Sequence, residues 1–135
     1  MLNRSGENLK ANQQGFTLIE LLAVIAILGI LATIAVPSVV RAMSRAREGA
    51  DRATALTIAN AAKQYIIEEN EFPGSGAVND NHVLVAERYL DSVPKPQNKK
   101  AQTFFLEVSG DDESPVIEVS YGEGGKLLYP YTEDK

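Results

Sequence analysis

Gly15-Phe16-Thr17-Leu18-Ile19-Glu20-Leu21-Leu22-Ala23-Val24-Ile25-Ala26-Ile27-Leu28-Gly29-Ile30-Leu31-Ala32-Thr33-Ile34-Ala35-Val36-Pro37 carries one charge, Glu20, and none from Leu21 to Val36. As a helix, Phe16 to Val36 would be about 31 Å long at roughly 1.5 Å per residue, which matches a bilayer core of about 30 Å. The run is longer than the h-region of an ordinary secretory signal, although Ala32 and Ala35 could be offered as a small-residue cut site. Pro37 removes one backbone donor and crowds the carbonyl four residues back, and Gly29 weakens the same helix. Both positions mark a kink or a locally melted turn.

On the N-terminal side, residues 1–15 are polar, with Arg4 and Lys10 against Glu7, and offer no apolar face to bury. On the C-terminal side the pattern becomes amphipathic. Ala55, Leu56, Ile58, Ala59, Ala62, Tyr65 and Ile66 share one half of a 3.6-residue wheel, with Thr57, Asn60, Gln64 and Glu68 opposite. Asn70 followed by Phe72-Pro73-Gly74 supplies the stop. One helix from Phe16 to about Asn70, roughly 80 Å long, is therefore expected.

Residues 71–102 read as a loop holding one short helix, His82 to Leu90, which Asn79, Asp80 or Asn81 would cap. Pro94 and Pro96 then interrupt regular structure. Alternation in Thr103 to Ser109 and Val116 to Tyr121, followed by Lys126 to Tyr129, predicts three antiparallel strands. The turns between them are Gly110 to Ser114 and Gly122 to Gly125. A meander of this size needs a helix across one face. The fold class is α+β, a long N-terminal helix on a small antiparallel sheet. Its segments are a leader (1–15), an apolar half-helix (16–36), an amphipathic half-helix (37–70), a loop (71–102), and strands with a tail (103–135).

The full chain has 135 residues, 44% of them hydrophobic, a mean hydropathy of -0.12 and a net charge of -5. Those averages hide the unlike parts just described. With no cysteine, a disulfide, a Cys zinc site and a Cys nucleophile are excluded. The acidic balance argues against a nucleic-acid site, which needs basic residues to neutralise phosphates. His82, the single histidine, reads as a surface or partly buried side chain, and no nucleophile-elbow pattern accompanies it. Asp111-Asp112-Glu113 lacks the spaced ligands of a calcium loop and reads as a solvated turn. No catalytic residue, cofactor or metal is expected, and the chain does not read as an enzyme.

Glu20 needs a reason. A carboxylate inside a spanning helix costs about 2.5 to 3.5 kcal/mol on insertion scales, unless it sits near the interface at a helix N-terminus, where the macrodipole favours it. Its surroundings suggest more. A basic leader, then Gly15-Phe16-Thr17-Leu18-Ile19-Glu20, with Gly29 inside the apolar run and Pro37 closing it, resembles the class III signal of type IV pilins and pseudopilins. The resemblance covers residues 15 to about 45 closely and the remainder by general plan.

The resemblance implies cleavage between Gly15 and Phe16 by a membrane-embedded prepilin peptidase, which then methylates the new Phe16 amine. Because this cut precedes the apolar run, the mature chain keeps its anchor. The new ammonium and a neighbour's Glu20 would form a charge-assisted pair that relieves the cost of burying both. The implied role is a subunit that polymerises with copies of itself into a type IV pilus for adhesion, motility or DNA uptake. Its partners would be the peptidase, the inner-membrane assembly machinery and, before assembly, the membrane itself. The alternative is a pseudopilin of a type II secretion or competence system. A single-span protein displaying a binding domain is a third reading, one that leaves Gly15, Phe16 and Glu20 unexplained.

Two features depart from relatives of these kinds. Trp and any Asp-Pro-Trp-Gly-like calcium segment are absent, and the C-terminal region cannot be closed by a disulfide. Charge counting gives Arg4 and Lys10 before the span but Arg41, Arg45, Arg47 and Arg52 after it, which on its own favours the opposite orientation. Long C-terminal domains translocate largely regardless of charge, and the resemblance implies a cytoplasmic N-terminus, then a surface filament. The strand region, with eight acids against Lys126 and Lys135, is expected to face outward on that filament. Replacing Gly15 by a bulky residue should block processing, seen on an immunoblot as full-length precursor; normal mature protein would remove the cleavage assignment.

Overall fold

The computed structural model describes residues 15–131. Most of the expected leader, residues 1–14, and the tail with Glu133, Asp134 and Lys135 lie outside the described residues. Two compact units divide at Val39 and Val40.

In the first unit the helix α1 (Leu18–Glu69) starts. It stays helical through Gly29 and Pro37, so neither position is a melted turn in this structure. Pro37 offers no N–H to the Thr33 carbonyl, and the Thr33 hydroxyl donates back to the Gly29 carbonyl at 3.0 Å. From Leu18 to Met43 no side chain of α1 is buried. Its most apolar 18-residue window has a mean hydropathy of 2.7, long and apolar enough to cross a membrane.

Within the second unit α1 acquires one buried face, Asp51, Ala55, Ile58, Ala59, Ala61, Ala62 and Tyr65. Four of these seven residues are alanines, so small side chains make up most of the buried stripe. Leu56, expected on this face, is 46% exposed, and Ile66 is only half-buried, because the sheet covers a narrower stripe than half of the wheel.

The sheet has four strands where three were expected: β1 (Gly76–Ala77), β2 (Phe104–Asp111), β3 (Ser114–Tyr121) and β4 (Leu127–Tyr129), antiparallel in that order. Two residues are too few to display alternation, which is why β1 reads as loop in the sequence. It pairs Gly76 with Leu106 and Ala77 with Phe105. Ser75 Oγ, accepting from the Val108 N–H at 2.9 Å, fastens its start. The β2 to β3 hairpin is also tighter than expected, since Asp111 pairs with Ser114 and leaves only Asp112 and Glu113 in the turn. Gly110 makes that possible: its φ is +93°, and a Cβ there would lie 2.5 Å from the Ser114 carbonyl oxygen. Phe104, Leu106, Ile117, Val119 and Leu128 form the inner face and pack with Val78, Leu84 and Leu90 against α1.

The short helix α2 spans Val83–Ala86, not His82 to Leu90. Arg88 adopts φ +64°, a left-handed turn that ends the helix and lets the Leu90 N–H reach the Leu84 carbonyl at 2.7 Å. The cap is His82, whose Nδ1 accepts from the Leu84 N–H at 3.3 Å. Asn79 instead closes a turn on the Asn81 N–H. Burial holds the His82 imidazole below its usual pKa, which keeps Nδ1 free to accept.

The loop before β2 is anchored by a residue that periodicity alone passed over. Asp51 is completely buried, on the α1 face that meets the sheet. One carboxylate oxygen accepts from the Gln97 N–H at 2.6 Å; the other accepts from the Asn98 N–H at 3.0 Å and the Tyr121 hydroxyl at 2.6 Å. A buried carboxylate is tolerated only when hydrogen-bonded in this way. Nearby, Glu48 joins Arg52 at 2.7 Å to Lys126 at 2.6 Å, tying the β3 to β4 connection to α1. The Lys126 hydrogen bond chiefly holds the Glu48 carboxyl below its ordinary pKa. As a partly exposed pair it contributes about 0–1 kcal/mol.

Asp51→Asn should destabilise the mature protein in detergent by roughly 2–3 kcal/mol in urea unfolding, because an amide group would face donors with a donor of its own. Asp112→Asn, in the exposed turn, should stay within about 0.5 kcal/mol. Burial, then the hydrogen bond to Asp51, pushes the Tyr121 hydroxyl above its ordinary pKa. Its contribution is therefore complete below pH of about 10 and is lost as pH rises towards the folded-state value. Tyr89, held up by Glu68, adds the same sign. Stability should fall above pH of about 10, and Tyr121→Phe should make that fall shallower; an unchanged alkaline profile would remove the assignment.

Candidate functional site

At the N-terminal end of α1 the sequence Thr17-Leu18-Ile19-Glu20 folds into a reciprocal cap. The Glu20 carboxylate accepts from the Thr17 N–H at 2.8 Å, and the Thr17 hydroxyl accepts from the Glu20 N–H at 3.3 Å. This is a capping box, in which the first and fourth residues satisfy each other's orphan donors at the helix start. The Thr-x-x-Glu spacing signals it in the sequence, a cue separate from the charge that makes Glu20 conspicuous. Glu20 is thus the first-turn acid of α1, in the position that the helix dipole favours.

Only one Glu20 oxygen is engaged in the cap; the other accepts no hydrogen bond among the described residues. Gly15 and Phe16 precede the helix without regular structure. Phe16 is 94% exposed, and a Cβ at Gly15 would meet nothing within 4 Å. Gly15, Phe16, Thr17 and Glu20 line one shallow hollow, so the residues singled out at this end of the chain are brought together. Gly29 and Pro37 lie further along α1 and take no part in it.

The remaining candidates are elsewhere. His82 is engaged in capping α2. Asp111, Asp112 and Glu113 lie exposed at the hairpin. Among the described residues no three His, Cys, Asp or Glu side chains are grouped to hold a metal.

Residues 10–36 match the family model of the prokaryotic N-terminal methylation motif. Over 124 residues the chain is 38% identical to the major component of the type IV wide pilus of Thermus thermophilus, covering 92% of this chain and 85% of that protein. Over 119 residues it is 36% identical to the type II secretion system core protein G of Aeromonas hydrophila, covering 87% of this chain and 80% of that protein. The match to the type IV major pilin of Myxococcus xanthus is 36% identical over 59 residues, 44% of this chain and 27% of that one. No solved structure matches at comparable significance. With the methylation motif at the start of an apolar helix, and the rest of that helix packed on an antiparallel sheet, the chain belongs to the family of type IV pilins and type II secretion pseudopilins.

Proposed function

We propose that the chain is a structural subunit of a type IV pilus, cut between Gly15 and Phe16, methylated at the Phe16 amine, held in the membrane by residues 16–36 and then polymerised. The observation that carries this reading is the exposure of every side chain of α1 from Leu18 to Met43, apart from any core of its own. Such a surface needs acyl chains or other apolar helices around it, and identical helices in a filament supply the second. Head-to-tail contacts that do not close give a helical polymer. The role requires no catalytic group.

Cleavage after Gly15 leaves the Thr17 and Glu20 cap intact and adds an ammonium one residue before it. The free Glu20 oxygen is then available to a neighbour's ammonium while the other keeps its own helix capped. One carboxylate serves both helix and assembly. Gly29 and Pro37, which weaken the α1 backbone, are where the helix would yield if packing in a filament required it.

A pseudopilin of a type II secretion system is the second reading, favoured by the 36% identity that extends over 80% of core protein G. Electron microscopy of material sheared from cells with and without the chain separates the two, since long surface filaments support a pilus and short periplasmic ones a pseudopilus. Glu20→Ala should leave membrane insertion and cleavage near normal but remove most filaments. Thr17→Ala, which breaks the cap at a cost of about 0.5–2 kcal/mol without removing the charge, should reduce filament yield much less. Equal yields from the two variants would reduce Glu20 to a capping residue.

A further inference from the structure

The second unit carries opposite charges at its two ends. Where α1 enters it, Arg47 lines a hollow with Ser44, Glu48, Asn98, Lys99 and Lys100. Glu48 is already matched by Arg52 and Lys126, while Arg47, Lys99 and Lys100 are in no ion pair among the described residues. Exposed Arg41, Arg45 and Lys95 belong to the same two segments. The loop bearing Lys99 and Lys100 is held at this end by the Asp51 bonds to Gln97 and Asn98.

The other end is acidic. Asp112, at the tip of the β2 to β3 hairpin, lines a hollow with Ile66, Asn70, Glu71 and Phe72, just past the end of α1. Glu68, Glu69, Asp111 and Glu113 are exposed beside these residues in the chain, and none is in an ion pair among the described residues. Arg47 and Glu69 are separated by about 33 Å of helix, at roughly 1.5 Å per residue. Each group is uncompensated, and the two lie at opposite ends of one helical segment.

We infer that the acidic end around Glu71 and Asp112 of one subunit docks on the basic end around Arg47, Lys99 and Lys100 of a second copy, fixing the axial register of the polymer. The inference rests on the polymer reading above. Two complementary surfaces on one body form a heterologous contact that repeats without closing. Like ends repel, so the charges act against reversed and mis-registered contacts, where charge complementarity contributes most.

The test is a charge swap in the full-length chain, read as sheared filament relative to processed subunit in the membrane. Lys99→Glu with Lys100→Glu, and separately Asp112→Lys with Glu113→Lys, should each lower filament yield about tenfold with processing unchanged. All four together should restore most of it. Wild-type yield from both pairs, or no recovery in the combination, overturns the inference and leaves the pilin reading standing. Absence of filaments from the wild-type chain overturns both. If the lysine variant loses binding to phosphatidylglycerol vesicles yet yields normal filaments, the basic end serves a lipid surface and the subunit contact is overturned.

Discussion

An apolar helical half with no core of its own imposes the main constraint on this molecule. Residues 18–43 expose leucine, isoleucine and valine on all sides, and water is a poor solvent for that surface. Charged groups are therefore confined to its ends. Glu20 and Thr17 satisfy the first turn, and the next charge is Arg41, beyond Pro37. The Thr33 hydroxyl within the run is turned back on the Gly29 carbonyl. Among the described residues, the hydrogen-bonded sheet and loops all follow the apolar run.

Where α1 passes into the second unit, the constraint changes from solvent to packing. Small residues, Ala55, Ala59 and Ala62, share the buried face of α1, and Asp51 replaces the next apolar position with a carboxylate. That exchange gives three segments distant in sequence a common anchor. The 97–98 loop and the end of β3 both donate to Asp51. A chain without cysteine cannot staple its C-terminal region covalently. The hydrogen bond that buried Asp51 accepts from Tyr121, the Glu48 ion pair with Lys126 and the Lys63 bond to the Tyr129 hydroxyl at 2.7 Å connect it to the helix instead.

Much of this fold is legible in the sequence because the periods are long and clean. The apolar run, the helical stripe after it and the alternation of Phe104, Leu106, Val108, Ile117 and Val119 each repeat enough to declare their element. Features set by one or two residues are not legible in that way. The strand Gly76–Ala77 exists through pairing with β2, a contact far away in sequence. The end of α2 depends on the left-handed Arg88, a residue type that gives no such warning. Asp51 looks like a surface acid until the stripe of Ala55, Ile58 and Ala62 is extended one turn backwards, which puts it on the buried face. Gly15, Phe16 and Glu20 stand out only jointly, by resemblance to a known signal, and the cap of Thr17 with Glu20 follows from local spacing.

On the proposed pilin reading, the helix start is the working part of the subunit: one new amine, one carboxylate shared between cap and neighbour, and an apolar surface that passes from lipid to protein. The central claim of that reading is that the polymerised form begins at Phe16. Mass spectrometry of the N-terminal peptide from sheared surface material measures this directly. The account predicts a peptide beginning with N-methylated Phe16 and retaining Glu20, and a peptide still carrying residues 1–15 would contradict it.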